Sequence, residues 1–432
     1  PPAVLHRAAV RATNAPMESE NSSEQYDVLI VGAGHAGAQA AINLRQGKFE
    51  GTIGLFGDER AHPYERPPLS KEYLAGDKPF ERILLRPEDF WGERGIDFQS
   101  GARVASVDPL AKTLRLANDR EVAFGKLIWA AGGSPRMLPC PGAGAANIHA
   151  IRRKRDVDLI REQLDEAQRI VIVGGGYIGL EAAAVMRKMG KQVTVLEALD
   201  RVLARVAGPQ LSRFYEGEHR AQGVDIRLES MVELFETDER GRAVAAVLTS
   251  GESLPMDMGL IGIGIVPEVG PLVSAGAAGG NGVDIDSQCR TSLPDVYAIG
   301  DCAAHGNPYA DGAHIRLESV QNANDMARVA AMHILGKPMD YDAVPWFWSN
   351  QYDLKLQTVG LSTGFDDCVL RGDPAERSFS LAYLRDGQLI ALDCVNKTKD
   401  YAQGRALITA KAHPDREQLA DADLTLKEVA LV

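Results

Sequence analysis

Short unbroken runs of apolar residues, not alternating ones, punctuate the chain. Tyr26-Asp27-Val28-Leu29-Ile30-Val31 is the first, Ile170-Val171-Ile172-Val173 the second and Val296-Tyr297-Ala298-Ile299 the third. Runs of this length and density predict parallel strands buried on both faces. The first run passes into Gly32-Ala33-Gly34-His35-Ala36-Gly37 and then a helical stretch over Ala38 to Arg45. The second passes into Gly174-Gly175-Gly176-Tyr177-Ile178-Gly179 and a helical stretch over Leu180 to Met189.

Strand, G-x-G-x-x-G and helix, in that order, form the context that gives the dinucleotide fingerprint its meaning. The first Gly permits the tight turn, the second lets the backbone approach a pyrophosphate, and the third lets helix and strand pack closely. The helix then points its unpaired N–H groups and positive dipole end at the phosphates. After the second loop comes another strand, Gln192 to Leu196, ending at Glu197. An acid about 20 residues past the first Gly accepts hydrogen bonds from the adenosine ribose and repels a 2′-phosphate. The second site should therefore prefer NADH to NADPH, although Arg201 nearby would soften that preference. The third run ends in Gly300-Asp301. An Asp at a strand's C-terminal end is placed to bind a sugar-like chain. Two such folds in tandem suit one fixed and one exchanging dinucleotide, the plan of a flavoprotein that uses a nicotinamide.

Composition narrows this without changing it. The 432 residues exceed one ordinary domain, and 45% hydrophobic with 25% charged is a globular balance. No apolar run reaches the roughly 18 residues of a membrane helix. A net charge of -12 argues against nucleic acid as the main partner. Cys140, Cys289, Cys302, Cys368 and Cys394 are odd in number, far apart and never in a C-x-x-C pair. That excludes a zinc ribbon and a local redox disulfide, implies no metal site and fits a reducing cytoplasm. Residues 1–25 lack the apolar core of a secretory signal and read as a loose extension.

Several segments together carry a resemblance. Besides the two loops and Asp301, they are Arg66-Pro67-Pro68-Leu69-Ser70-Lys71, Gly176 to Glu181, Arg316 to Ala323 and Pro345-Trp346-Phe347-Trp348-Ser349. Over about residues 26–430 the chain resembles the FAD-dependent NADH:ferredoxin reductases of bacterial oxygenase systems, of the putidaredoxin reductase and biphenyl dioxygenase ferredoxin reductase type. The resemblance implies an α/β fold with two Rossmann-like dinucleotide-binding domains, glutathione-reductase-like, and a smaller C-terminal α+β domain. FAD would occupy 26–134 with 259–341, NADH 135–258, and 342–432 would close over the flavin. Leu127 to Ala130 and Gly259 to Val266 would be the two crossings between domains.

By the same resemblance, Ala36 sits at the FAD pyrophosphate and Asp58 near the adenosine ribose, with Glu59 beside it. Arg66, Val104, Ala131 and Arg152 contact FAD, Asp301 binds the ribityl chain, and Gly264 lies at the cofactor sites. Val320 opens a helix whose positive end faces the flavin and raises its potential. Trp348 lies against the isoalloxazine. Lys71 and Glu181 meet beside the flavin, where the ammonium favours the reduced form and the carboxylate offsets it. Tyr177 covers the flavin until nicotinamide displaces it. The implied reaction is hydride from NADH to FAD, then single electrons to a 2Fe–2S ferredoxin feeding a cytochrome monooxygenase. The protein would be a monomer or weak dimer, and Arg328, Arg405 and Lys427 are candidates for docking the acidic ferredoxin.

Disulfide reductases of similar plan need a C-x-x-x-x-C pair after the first fold, where this chain has Pro67 to Lys71. A rubredoxin or Rieske-type ferredoxin reductase shares every motif and differs only in partner. An NADH-sensing interaction protein of the apoptosis-inducing-factor type is the alternative of a different class.

Overall fold

A computed structural model describes residues 24–432. Most of the expected extension over 1–25 lies outside these residues. Glu24 and Gln25, the last two residues of that expected extension, instead begin the first strand, Glu24–Val31. This strand is central to a seven-stranded sheet. Parallel neighbours Ile53–Phe56 and then Ile96–Gln99 lie on one side, with Glu121–Trp129 parallel on the other. Val296–Ala298 joins Glu121–Trp129 in parallel, through Leu127, Ile128 and Trp129. Val28, Leu29 and Ile30 are wholly buried, and each such aliphatic side chain contributes about 1.5–3 kcal/mol through burial.

The second unit repeats the plan. Its five strands are all parallel, ordered Asp225–Arg227, Gln192–Leu196, Arg169–Val173, Met258–Ile261 and Ile148–Ala150. Met258–Ile261 thus belongs to the second sheet, whereas the sequence reading began the return crossing at Gly259. All four of its residues are buried there, so the apolar run serves a sheet and not a linker. The return comes later, where Ile265–Pro267 pairs antiparallel with Gly133–Pro135.

The third unit is a five-stranded antiparallel sheet, ordered Trp346–Gln351, Leu354–Gly360, Gln388–Val395, Ser378–Arg385 and Asp367–Asp373, with helix Thr398–Thr409 packed on it. Its Leu354, Leu356, Phe379 and Tyr383 share one core with Leu180, Leu211 and Tyr215 of the second unit. That shared core fixes the strand Trp346–Gln351 beside the helix that follows the second glycine loop.

Both of those helices begin three residues earlier than the pattern predicts, as His35–Gln46 and Tyr177–Lys188. Gly34 and Gly176 serve as their N-caps and supply no side-chain cap. Their first-turn N–H groups are therefore free of side-chain partners and available to a ligand.

Candidate functional site

The C-terminal ends of the first sheet's strands open onto a cleft of about 620 Å³, lined there by Val31, Phe56, Trp129 and Ile299. This is where an open α/β sheet binds its ligand. Gly32 makes the turn at φ +105°, and a Cβ on it would stand 2.2 Å from the Ala130 carbonyl oxygen. A Cβ on Gly37 would stand 1.8 Å from the Gly32 oxygen. Only Gly fits either position.

Guanidinium groups gather around this loop. Arg66 holds Glu59 at 2.9 Å and donates to the Arg152 carbonyl at 2.5 Å. Tyr64 donates to the other Glu59 oxygen at 2.7 Å. Arg152 reaches Asp301 at 3.3 Å, and Arg153 pairs with Asp58 at 2.7 Å. Burial, reinforced by Arg66 and Arg152, pulls the His35 pKa down to about 4, so its ring is neutral. Glu318 is pushed up by burial, with Asp301 adding to the shift and Arg316 opposing it.

At the other end of the cleft all three units meet. Lys71 Nζ lies 2.7 Å from Glu181 Oε2, which Ser70 Oγ also approaches, at 2.5 Å. Ser349 Oγ donates to Glu181 Oε1 at 2.7 Å. Tyr177 packs on Phe347 with ring centroids 4.7 Å apart. Phe347 and Trp348 line the cleft. Trp348 also borders a second cavity of about 270 Å³, shared with His35, Lys71 and Val320 and reaching Lys78 and Arg86. From Trp348 a series of rings continues to Trp346, 5.5 Å away, and Tyr401, 6.2 Å farther.

The second glycine loop copies the first. Gly174 has φ +110°, and a Cβ there would stand 2.3 Å from the Gly262 oxygen. Glu197 accepts from the Gly175 N–H at 2.7 Å and the Leu199 N–H at 2.9 Å. Arg201 points elsewhere, donating to the carbonyls of Ala204 and Ala207 and to Ser212 Oγ. Gly264 lies at φ +100° just before the return strand.

The cleft collects Gly32, Gly34, His35, Ala36, Asp58, Glu59, Arg66, Lys71, Val104, Ala131 and Arg152. It also collects Tyr177, Ile178, Glu181, Asp301, Val320 and Trp348. Gly37 is buried behind it, and Gly174, Gly175, Gly176, Gly179, Glu197 and Gly264 lie outside it. Sequence reasoning missed Arg153, Phe347 and Ser349. The Pro-Trp-Phe-Trp-Ser segment was the signal for the last two. Arg328, Arg405 and Lys427 are exposed.

No cysteine lines the cleft. All five are free thiols, and burial pushes the nearest in sequence to a motif, Cys302, up to about 11. Among the described residues no cluster of His, Cys, Asp or Glu is arranged to hold a metal, and no helix is long and apolar enough to cross a membrane.

Residues 26–327 match the family model of pyridine nucleotide-disulphide oxidoreductases, and residues 346–430 match that of the reductase C-terminal region. The chain belongs to the pyridine nucleotide-disulphide oxidoreductase family. It is 62% identical to the 5,5'-dehydrodivanillate O-demethylase ferredoxin reductase subunit of a Sphingobium species, across 94% of this chain and 98% of that one. It is 55% identical to a ferredoxin–NAD(P)(+) reductase of a Sphingomonas species, across 90% and 94%. Putidaredoxin reductase, crystallised as its covalent complex with putidaredoxin, superposes with a TM-score of 0.90 at 38% identity, covering 94% of this chain and 97% of that one.

As a member of this family, the chain is an oxidoreductase that uses FAD and a nicotinamide dinucleotide. The residues present fit FAD in the first cleft. At Gly34, where a pyrophosphate must approach, the backbone is bare and the nearest atom to a Cβ there would be Arg66 Nε at 3.8 Å, which leaves space for the phosphates, and Arg66 and Arg152 supply cations. Asp58 and Asp301 supply acceptors for sugar hydroxyls, and Val104, Ala131, Val320 and Trp348 supply apolar wall for rings.

Proposed function

We propose that this protein is an NADH:ferredoxin reductase, taking hydride from NADH at its FAD site and delivering single electrons to a 2Fe–2S ferredoxin of an oxygenase system. One observation carries the reading. The helix that opens the second nucleotide site inserts Tyr177, Ile178 and Glu181 into the wall of the first site's cleft. A nicotinamide carried by the second site thus arrives at the cofactor held by the first.

FAD, when bound, supplies the conversion of a two-electron donor into single electrons. The chain's own residues bind, orient and tune. Arg66, Arg152 and the N-terminus of helix His35–Gln46 hold the pyrophosphate. Lys71 presents a positive charge to the cleft, and Glu181 fixes it. Tyr177, backed by Phe347, covers the approach and keeps water out until the nicotinamide ring takes that place; hydride transfer then needs proximity, not a protein acid or base. Glu197 selects NADH, a reading supported by Arg201 being turned to protein carbonyls. We assign FAD to the first unit, NADH to the second and closure of the cleft to the third.

Partner choice belongs to the third unit and its neighbour. Trp348, Trp346 and Tyr401 lead from the cleft to the helix that carries exposed Arg405. Arg405, Arg328 and Lys427 form the docking set for an acidic ferredoxin, and the relatives named as ferredoxin reductases support that acceptor. A cytochrome monooxygenase downstream and a cytoplasmic location belong to the same proposal; the five free thiols favour a reducing compartment.

The test is anaerobic turnover of the FAD-loaded protein with NADH and a 2Fe–2S ferredoxin. Ferredoxin reduction that requires both FAD and NADH is expected. Flavin that NADH reduces but no ferredoxin reoxidises would defeat the assignment of the acceptor.

A further inference from the structure

Behind Glu181, a file of buried polar side chains runs away from the cleft. Ser349 Oγ is 2.7 Å from Glu181 Oε1, and Gln351 Nε2 is 3.2 Å from Ser349 Oγ. His219 Nε2 is 2.8 Å from Gln351 Oε1, and the Tyr352 hydroxyl is 3.0 Å from His219 Nδ1. Ser349 and His219 are 0% exposed and Gln351 1%. Water cannot replace a lost partner there, so each bond is costly to break.

The carboxylate end dictates the sense of every bond. A carboxylate only accepts, so Ser349 must give Glu181 its single hydroxyl proton. Ser349 Oγ is left as an acceptor, so the Gln351 amide must turn its NH₂ towards it. The amide oxygen then faces His219, which requires the ring proton on Nε2. Nδ1 is bare and accepts from Tyr352. The ionisation states agree: burial pulls the His219 pKa down to about 4 against its Gln351 bond, and burial raises the Tyr352 phenol. The ring is neutral and the phenol keeps its proton near neutral pH. Four donors therefore point in one direction, ending on one charge, and aligned bonds polarise each other.

The file also crosses unit boundaries. His219 lies on the helix Pro209–Ala221 of the second unit. Ser349 and Gln351 lie on the strand Trp346–Gln351 of the third, and Tyr352 turns the hairpin after it. Tyr352 sits there at φ +56°, a left-handed conformation that tyrosine keeps only where its surroundings hold it. Lys71 and Ser70 come from the first unit, so Glu181 is gripped from all three.

We propose that the file Tyr352–His219–Gln351–Ser349 is a positioning device for the Lys71–Glu181 pair, with His219 as the residue that orients it. It keeps the Glu181 carboxylate fixed and partly offset, and so sets how much of the Lys71 charge the cleft feels. It does not conduct protons, because the Gln351 amide would have to tautomerise to pass one on. The proposal rests on the reading that FAD and NADH meet in the cleft.

The experiment compares FAD-loaded wild type with His219→Leu, His219→Gln, Ser349→Ala and Tyr352→Phe. It reads the reduction potential of the bound flavin by spectroelectrochemical titration, the rate of flavin reduction by NADH and the affinity for NAD⁺. With fewer donors on Glu181, more of its negative charge reaches the cleft. His219→Leu and Ser349→Ala are expected to make the potential more negative and slow reduction about 3- to 10-fold, at unchanged NAD⁺ affinity. Tyr352→Phe moves it the same way by less. His219→Gln, whose amide donates to Gln351 and accepts from Tyr352, restores the wild-type potential. Wild-type potentials in Ser349→Ala and His219→Leu overturn the proposal, as does a His219→Gln as impaired as His219→Leu. Should His219→Leu fail to fold, Ser349→Ala and Tyr352→Phe decide alone. A wild type that takes up no FAD, or whose flavin NADH leaves oxidised, defeats the functional reading instead.

Discussion

The two glycine loops have nearly the same backbone and opposite surroundings. Gly32 and Gly174 turn at φ +105° and +110°, each against a carbonyl that leaves no room for a Cβ. Around the first, three acids each have a protein cation: Glu59 has Arg66, Asp58 has Arg153 and Asp301 has Arg152. Around the second, Glu197 is held only by backbone N–H groups, and Arg201 is committed to carbonyls. One loop sits inside a deep cleft walled by three units; the other lies outside it. The same motif is thus ringed by arginines in one unit and free of them in the other, the contrast that the proposed resident and exchanging sites require.

The sharpest way to break that comparison is to strip the first loop of one of its cations. Arg66→Ala leaves Glu59 part-buried without its cation and should weaken FAD binding about 100-fold or more, read by fluorescence titration of the apoprotein. NAD⁺ affinity should not change; parallel losses at both sites would mean that the loops are not independent. Next in size, Lys71→Met should slow flavin reduction by NADH about 100-fold while FAD stays bound. A full-rate variant would remove Lys71 from the chemistry. Glu197→Ala should cut the preference for NADH over NADPH about tenfold, whereas Arg201→Ala should leave that preference intact. A large effect of Arg201→Ala would show that its guanidinium reaches the nucleotide after all. The smallest effect is expected at the surface. Arg405→Glu should raise the KM for ferredoxin about 3- to 5-fold and leave ferricyanide reduction alone, and added salt should shrink the difference. Equal loss with both acceptors would remove Arg405 from docking.

The strand, glycine loop and helix that open each nucleotide unit were legible because each set is a local pattern: an apolar run, three glycines and a helical stretch follow one another directly. Glu197 was legible for the same reason, lying one strand away from its loop. The errors fell where neighbours are remote. Met258–Ile261 reads as an apolar run wherever it goes, and only its pairing with Arg169–Val173 and Ile148–Ala150 assigns it to the second sheet. Arg153 sits in a basic run that resembles a solvated helix start, until the fold brings Asp58 to it from 95 residues away. His219 carries no sequence signal of its own, and Ser349 is marked only as the last residue of the Pro-Trp-Phe-Trp-Ser segment. Their roles arise because the third unit packs its sheet on the second unit's helices, which places Ser349 168 residues from the carboxylate it serves.

The most direct test of one resident and one exchanging dinucleotide is a single reduction followed by gel filtration. The FAD-loaded protein is mixed anaerobically with one equivalent of NADH, passed through the column and then given oxidised 2Fe–2S ferredoxin. The account predicts complete loss of the oxidised-flavin absorbance, flavin eluting with the protein, nicotinamide eluting apart from it, and ferredoxin restoring the flavin spectrum. Flavin lost from the protein on the column, or nicotinamide retained in place of it, would contradict the assignment of the two loops.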